Sequence, residues 1–233
     1  GISEMTMNLR KYVTKPYVLR YIVVVLSIFL VGLAMSIMRI SAMGTEPFSC
    51  LNYSISEHFG IPMGITMAGI NGILIVLSFF TMRESLGFGT VANMLLLGTA
   101  ADIWGNVIQK LAGHSISFSG MEHFGIRILL LCAGMVMMVF FCSFYMSCEM
   151  GMSPYDSLGY IIEKLTGKIP FKWARVAADS ICVVTAYFFA RMNGTQWELI
   201  GIGTVIMAFC IGPLLSFFRK NAAEPFVAKI KNM

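Results

Sequence analysis

An aspartate in the middle of an apolar stretch has few ordinary explanations, and this sequence has two of them, Asp102 and Asp179. On insertion scales an Asp at the centre of a membrane span costs roughly 2.5–3.5 kcal/mol, so it is expected to face a bundle interior or a wet cavity. There a carboxylate handles ions, protons or polar solutes. Asn71 holds in an earlier apolar run the place that Asp179 holds in a later one, and Asn93, Thr90 and Thr204 add neutral hydrogen-bonding groups. The competing reading is that these side chains only join helices, since polar residues bridge packed membrane helices. Arg39, Glu149 and Asp156 fall nearer the ends of apolar runs, where solvated charge is ordinary; Arg39 and Glu149 are also candidates for a gate or charge pair.

The second chemical signal is a stretch that occurs twice, Gly44-Thr45-Glu46-Pro47-Phe48-Ser49-Cys50-Leu51 and Gly151-Met152-Ser153-Pro154-Tyr155-Asp156-Ser157-Leu158. Each begins with a glycine, which permits a sharp bend, and continues with a proline suited to a first helical position because it has no N–H to leave unpaired. A short helix starting there has several free N–H groups and roughly half a positive charge at its N-terminus. Gly44, Pro47, Ser49, Gly151, Pro154 and Asp156 are therefore expected, with Asn71, Asn93, Asp102 and Asp179, to form a substrate site. The helix termini favour an anionic or electron-rich group. Alternatively, Asp156 takes the anion's place and the site attracts a cation or a proton.

The match between the two stretches continues on both sides. Met43, Gly44, Pro47, Leu51, Tyr53, Ile55 and Gly60 recur at one constant offset as Met150, Gly151, Pro154, Leu158, Tyr160, Ile162 and Gly167. Ile61-Pro62 recurs as Ile169-Pro170 one residue later, and Gly87-Phe88-Gly89-Thr90-Val91 with Gly98 returns as Gly201-Ile202-Gly203-Thr204-Val205 with Gly212. Two spaced motifs in the same order point to duplication of a unit of roughly 110 residues, the scale at which membrane transporters repeat.

Composition sets the class. With 57% hydrophobic and only 12% charged residues and a mean hydropathy of +0.77, the chain is far from the soluble average of about 25% charged. It reads as an integral membrane protein. The six cysteines show no C-x-x-C spacing, and the three histidines, expected in loops, have no zinc-ligand spacing, so neither metal nor cofactor is expected. The 19 methionines read as core or lipid-facing filler. Gly-x-Gly-Thr, with no preceding strand and no following Lys, reads as the start of a tightly packed span, not a phosphate loop. The net charge of +5 reports topology and no nucleic-acid partner.

The expected organisation is a basic tail over 1–16, in which Gly1 to Glu4 resembles the remnant of a cleaved tag, a membrane repeat over 17–110, a polar loop over 111–125, a second repeat over 126–218 and a basic, frayed tail over 219–233. Spans are expected over Tyr17 to Met38, Pro62 to Met82, Gly87 to Ile108, Ile126 to Cys148, Phe171 to Ala190 and Gly203 to Phe218, with Trp104, Trp173 and Trp197 near their ends. Pro47 to Phe59 and Pro154 to Thr166 read as short helices, the first with Phe48, Leu51 or Asn52, Ile55 and Phe59 on one side. At ~1.5 Å per residue each reaches about 20 Å, short of a ~30 Å hydrocarbon core. Each is expected to enter the membrane and turn back, or to lie along it. The fold class is thus an all-α membrane protein of six spans in two inverted three-span repeats, each with a re-entrant or interfacial helix.

Six crossings put Arg10, Lys11, Lys15, Arg20, Arg83, Lys164, Lys168, Lys172, Arg175, Arg219, Lys220, Lys229 and Lys231 on one side and Arg39, Lys110, Arg127 and Arg191 on the other, 13 against 4 of the 17 basic residues. That places both termini in the cytoplasm of a bacterial cytoplasmic membrane. Eight crossings, with the short helices also spanning, satisfy the charge rule equally well; helix length favours six.

A span, Gly-x-x-Pro-aromatic with an acid, a second span, and Gly-x-Gly-Thr opening a third, all repeated from Leu19 to Phe218, resemble the bacterial YczE/YitT-like membrane proteins. That resemblance implies a multispanning protein presumed to transport something, without naming the substrate. The family's usual stretch is close to G-x-G-x-x-P-W-D. Here the acidic position is Ser49 in the first copy and Asp156 in the second, so no mechanism using that acid from both copies is expected. Duplicated units with Gly/Pro-interrupted segments favour a secondary transporter or facilitator of a small polar or anionic organic molecule, with the lipid bilayer and that solute as partners and pairing into a homodimer open. A substrate-binding subunit of a vitamin uptake complex is the alternative, weakened by the duplication. An intramembrane aspartic protease built on Asp102 and Asp179 is disfavoured, because the expected Gly-x-Gly-Asp is Gly-x-Gly-Thr in both copies and no enzymatic role is expected.

Overall fold

The computed structural model describes residues 14–113, 118, 121–169 and 171–233. Residues 1–4, Arg10, Lys11 and Pro170 lie outside them. All regular structure among the described residues is helical: α1 (Lys15–Ser41), α2 (Pro47–Phe59), α3 (Met63–Thr81), α4 (Phe88–Ala112), α5 (Phe124–Ser147), α6 (Pro154–Thr166), α7 (Phe171–Asn193), α8 (Gln196–Leu199), α9 (Ile202–Phe218) and α10 (Glu224–Lys231). Six segments are long and apolar enough to cross a membrane: α1, α3, α4, α5, α7 and the continuous run Gln196–Lys231. At 13 residues, α2 and α6 are not among them.

The antiparallel pair α1 and α5 forms the axis of the bundle. Small residues bring the two close: a Cβ on Gly134 would sit 2.5 Å from Met38 Cγ and 3.1 Å from Ala34 O. In lipid, where apolar burial drives helices together only weakly, such close backbone approach is what holds spans together. Each end of the pair is tied by an arginine near the start of one helix that reaches the end of the other. Arg20 Nε donates to Cys148 O at 2.9 Å and its Nη2 donates to the same oxygen. Arg127 donates through Nε to Ser41 O at 2.9 Å and through Nη2 to Ala42 O at 2.6 Å. Helix C-terminal carbonyls lack backbone partners and carry partial negative charge, so a guanidinium satisfies both needs. Beyond each helix end the chain turns through a non-glycine residue in the left-handed region, Ala42 (φ 50°) and Glu149 (φ 53°).

From those turns each motif crosses to the opposite half of the chain. Gly44 N donates to Glu198 O and Thr45 N to Leu199 O, both at 3.1 Å, and Gly203 N donates to Met43 O at 2.8 Å. On the other side Met152 N donates to Ser85 O at 3.0 Å and Gly89 N to Met150 O at 2.6 Å. Gly44 and Gly151 are glycine for two reasons: φ is +101° and +120°, and a Cβ would lie 2.6 Å from Gly201 N in one case and 2.7 Å from Thr90 Oγ1 in the other. The Gly-x-Gly-Thr motifs are thus the receiving ends of these crossings, as tightly packed helix starts.

Three local expectations are corrected. Residues 219–233 are not frayed: a π-helical turn over Arg219–Ala223 leads into α10, which buries Val227 and Ile230 against α1 and α5. The buried side of α2 is Phe48, Ser49, Cys50, Asn52 and Ser54, while Phe59 is 60% exposed, because the helix turns its small and polar residues inward. His58 lies in the last turn of α2, where its Nδ1 is 3.0 Å from Asn193 Oδ1. Trp104 donates through Nε1 to Phe29 O at 3.1 Å.

The crossings make a direct prediction. A Cβ on Gly201 would fall 2.4 Å from Met43 O, whereas nothing lies within 4 Å of one on Gly212. Gly201→Ala should therefore destabilise by on the order of 2–4 kcal/mol, since backbone has no room to yield. Gly212→Ala in the same helix should be neutral or slightly stabilising. Unfolding midpoints of the two variants in detergent check this; equal midpoints would remove the crossings as the structural tie.

Candidate functional site

The helices α2 and α6 begin inside the protein, so their first N–H groups need partners. In α2 the N-cap is Glu46, whose carboxylate accepts from Phe48 N at 2.9 Å, Ser49 N at 2.7 Å and Ser49 Oγ at 2.5 Å. In α6 the N-cap is Ser153, whose hydroxyl accepts from Asp156 N at 3.5 Å. The two starts carry the same pair of groups in opposite order: acid then serine in α2, serine then acid in α6. The acid that Ser49 lacks is thus supplied three residues earlier by Glu46. The helix terminus expected to meet an anionic substrate is filled by the chain's own carboxylate.

These two first turns touch. Phe48 stacks on Tyr155 with ring centroids 4.3 Å apart and planes 11° from parallel, an offset-stacked geometry favourable for aromatic rings. The Tyr155 hydroxyl donates to Asp179 Oδ1 at 2.5 Å and accepts from the Cys182 thiol at 3.6 Å. Arg175, one turn before Asp179 on α7, pairs with Asp156 at 2.6 Å and with Asp179 at 3.3 Å, its guanidinium 4.4 Å from the centre of the Tyr155 ring. Glu46 is within electrostatic reach of both Arg175 and Asp179. One guanidinium therefore serves two carboxylates beside a stacked aromatic pair, with a third nearby.

Two buried asparagines lie on the helices that pack around this centre. Asn71 is at the midpoint of α3 and Asn52 one turn after Phe48 on α2; both are 0% exposed. Asn71 lies on one stripe with Met67 and Leu74, which pack into the same apolar cluster as Phe48, Tyr155, Ala178 and Cys182. Neither amide atom of Asn71 has a hydrogen-bond partner among the described residues, nor does Asn52 Oδ1, while Asn52 Nδ2 donates to Phe48 O at 2.7 Å. An open buried polar atom costs about 1–3 kcal/mol, and each one calls for an explanation such as a bound water, ion or ligand.

The remaining expected residues lie elsewhere. Asp102 accepts from the backbone N–H of Met63 at 3.1 Å and of Gly64 at 2.7 Å, so it caps the start of α3. Its partners and those of Asp179 have no residue in common. Asp102 also borders a cleft of about 420 Å³ lined by Arg39, Tyr53, Glu57, Asn106 and Gln109. Arg39 pairs with Glu57 at 2.5 Å and Glu198 at 3.2 Å, and Glu149 pairs with Lys231 at 2.6 Å. The two are charge-paired at different sites and not with each other. The bond to Lys231 holds the Glu149 carboxyl below its ordinary range. Asn93 is buried on α4, Gly44 and Gly151 make the crossings, and Pro47 and Pro154 begin α2 and α6.

Sequence reasoning missed Glu46, Tyr155, Arg175 and Asn52. The swapped acid and serine of the two motifs were the available signal for Glu46, and the four-residue spacing to Asp179 the signal for Arg175. No group of three or more His, Cys, Asp or Glu among the described residues could hold a metal ion.

This division of labour is testable. Asp102→Ala should lower stability by about 1–2 kcal/mol, the usual cost of a lost helix cap, and leave the centre intact. Arg175→Gln should cost on the order of 2–3 kcal/mol because it leaves carboxylates unpaired, with Asp156→Asn in the same chain recovering roughly half. Additive losses in that double variant would mean the pair is not coupled.

Two curated relatives are similar to this chain. The uncharacterized membrane protein YczE of Bacillus subtilis (strain 168) is 26% identical over 176 residues, 76% of this chain and 74% of the relative. The uncharacterized protein YyaS of the same organism is 24% identical over 211 residues, 91% and 98% of the two chains. No solved structure matches significantly. The resemblance read from the repeated motifs is thereby supported across the helical region, and residues 18–220 match a family of unknown function: the chain belongs to the DUF6198 family.

Proposed function

We propose that this protein is a membrane transporter, a secondary transporter or facilitator, that moves a small polar solute through a site between two inverted three-span halves. The observation that carries the reading is the meeting of α2 and α6 at the Phe48–Tyr155 stack, ringed by Glu46, Asp156, Arg175 and Asp179. Interrupted membrane helices whose starts converge on a buried polar centre are the architecture in which transporters hold substrate. From that centre the two helices lead apart. The end of α2 meets Asn193 at the end of α7, and Lys164 near the end of α6 donates to Thr81 O at the end of α3. This divergence supports re-entrant helices entering from opposite faces. The equivalence of Arg20 with Arg127, of Ala42 with Glu149 and of the two crossings supports inverted duplication. The cleft beside Arg39, Tyr53 and Glu57 lies between α1, α2 and α4, and on this reading it is the solute's way in from one face.

The reading is transport and not catalysis. Asp102 and Asp179, the acids an intramembrane protease would bring together to share a proton, bind different groups. The membrane is the bacterial cytoplasmic one, with both termini inside, on the distribution of basic residues.

Two measurements test this. With the exposed Cys132 replaced by serine, thiols introduced at Phe59 and Leu165, both exposed at the far ends of α2 and α6, should react with an impermeant reagent from opposite sides of the membrane. Labelling of both from one side rules out the inverted arrangement. In reconstituted vesicles, uptake of labelled amines, amino acids, nucleosides and vitamins should exceed that of protein-free vesicles for at least one class, and Asp179→Asn should slow it about tenfold or more, a loss of ~1.4 kcal/mol or more. Uptake that is unchanged in that variant would move the path away from the centre.

A further inference from the structure

The polar centre has a sign. Two carboxylates, Asp156 and Asp179, share one guanidinium, Arg175, and the buried acid Glu46 lies within electrostatic reach of it. Of the two helix termini that would welcome an anion, that of α2 is occupied, because Glu46 accepts from both of its first free N–H groups, and Asp156 stands in the first turn of the other. Excess negative charge in a weakly polar interior is costly unless a counter-charge joins it.

The second, independent observation is Asn71. It is fully buried, both amide atoms are open among the described residues, and the stripe it shares with Met67 and Leu74 belongs to the apolar cluster that also holds Phe48 and Tyr155. Asn52 adds another open carbonyl oxygen whose identity is fixed, since its Nδ2 is the atom that donates to Phe48 O. Two acceptor oxygens against one amide nitrogen suit a ligand rich in N–H donors. The aromatic pair beside them offers ring faces and edges to a cation already held by carboxylates.

We propose that the central site binds a small nitrogenous cation of the ammonium or guanidinium type, with Asn71 and Asn52 accepting its N–H groups and the carboxylates of Glu46 and Asp179 supplying the counter-charge. This deepens the transport reading and rests on it for the movement of the ligand, but binding can be measured without transport. The groups that face Asp179 are Tyr155 and Asp156 from α6, Glu46 from α2, and Arg175 and Cys182 from its own helix. Of these only Arg175 is a cation, and its charge is already shared.

The experiment uses two planar probes of similar size and opposite charge, guanidinium and formate, each at millimolar concentration. Binding to the full chain in vesicles is read as charge displacement on a supported membrane, and uptake is followed separately with labelled probe. Wild type is expected to give a saturable signal with guanidinium and none with formate. Asn71→Leu should weaken guanidinium binding about tenfold or more, yet leave the ligand-free unfolding midpoint unchanged or raised, because it removes an amide with no partner. Asn71→Asp should bind guanidinium at least about threefold more tightly than wild type, which a merely structural asparagine would not do. A saturable formate signal with guanidinium silent overturns the cation assignment, while formate uptake would leave transport standing. Silence with both probes, or guanidinium binding unmoved by Asn71→Leu, also overturns it, and the uptake panel then decides the transport reading alone.

Discussion

A helix that begins inside a membrane protein leaves N–H groups without partners where no water can reach them, and two helices here begin that way. In hydrocarbon an unsatisfied backbone group costs several kcal/mol, so every feature around α2 and α6 answers to this demand. Glu46 and Ser153 cap the helices; Pro47 and Pro154 remove one donor each. The irregular segments leading into them hand their remaining N–H groups to the opposite half, through Glu198, Leu199 and Ser85. That exchange needs backbone against backbone, which only glycine at positions 44, 87, 151 and 201 allows. The arginines at either end of the α1–α5 pair hold the turns from which both segments leave. Removing the broken helices would make most of these devices unnecessary.

Capping with a carboxylate has a consequence for the centre. A serine cap satisfies N–H groups without adding an acid, whereas Glu46 brings a carboxyl group to a place already holding Asp156 and Asp179. The two halves of the sequence differ at just these positions. Along α7 the inward stripe is Arg175, Asp179 and Cys182; along α3 its counterpart is Met67, Asn71 and Leu74. One half therefore carries the ion pairs and the other a neutral amide. The charged groups thus lie on one half and a neutral amide on the other, and neither amide atom of Asn71 has a protein partner among the described residues.

The architecture was legible because the bilayer leaves few choices: apolar run lengths gave the six segments, and proline with glycine gave both ends of α2 and α6 to the residue. The centre was legible only in part. Asp179, Asn71 and Asp156 announced themselves as polar residues in apolar surroundings, but Asp102 announced itself the same way and proved to cap a helix. Cost of burial reveals that a carboxylate has a partner, not whether the partner is a ligand or a backbone amide. Arg175 was hidden by the charge rule, which assigns a basic residue near a helix start to the membrane surface, although its side chain turns inward to two aspartates. Glu46 was hidden because the motif's acid was sought at Ser49. Position along the chain differs by three residues, yet one helical turn brings both to the same point in space.

The two halves also differ in how firmly their spans are joined. In the first, α3 and α4 interlock: a Cβ on Gly98 would lie 2.8 Å from Met63 O, and one on Gly64 2.7 Å from Thr99 Oγ1. In the second, Gly212 stands where Gly98 does, with nothing within 4 Å of its Cβ, and α7 and α9 barely touch. Instead α7 packs along α2 and α6. The helix bearing Arg175 and Asp179 is thus bound to the two broken helices and hardly to the next span. Packed elements move as units along their weakest interfaces. On the transport reading, α7 with α2 is the unit able to shift against the α1–α5 axis, carrying Arg175 and Asp179 with it, while α6, which packs on α3 as closely as on α7, stays with α3, α4 and Asn71. A solute held between Asp179 and Asn71 would then sit across the seam that has to open.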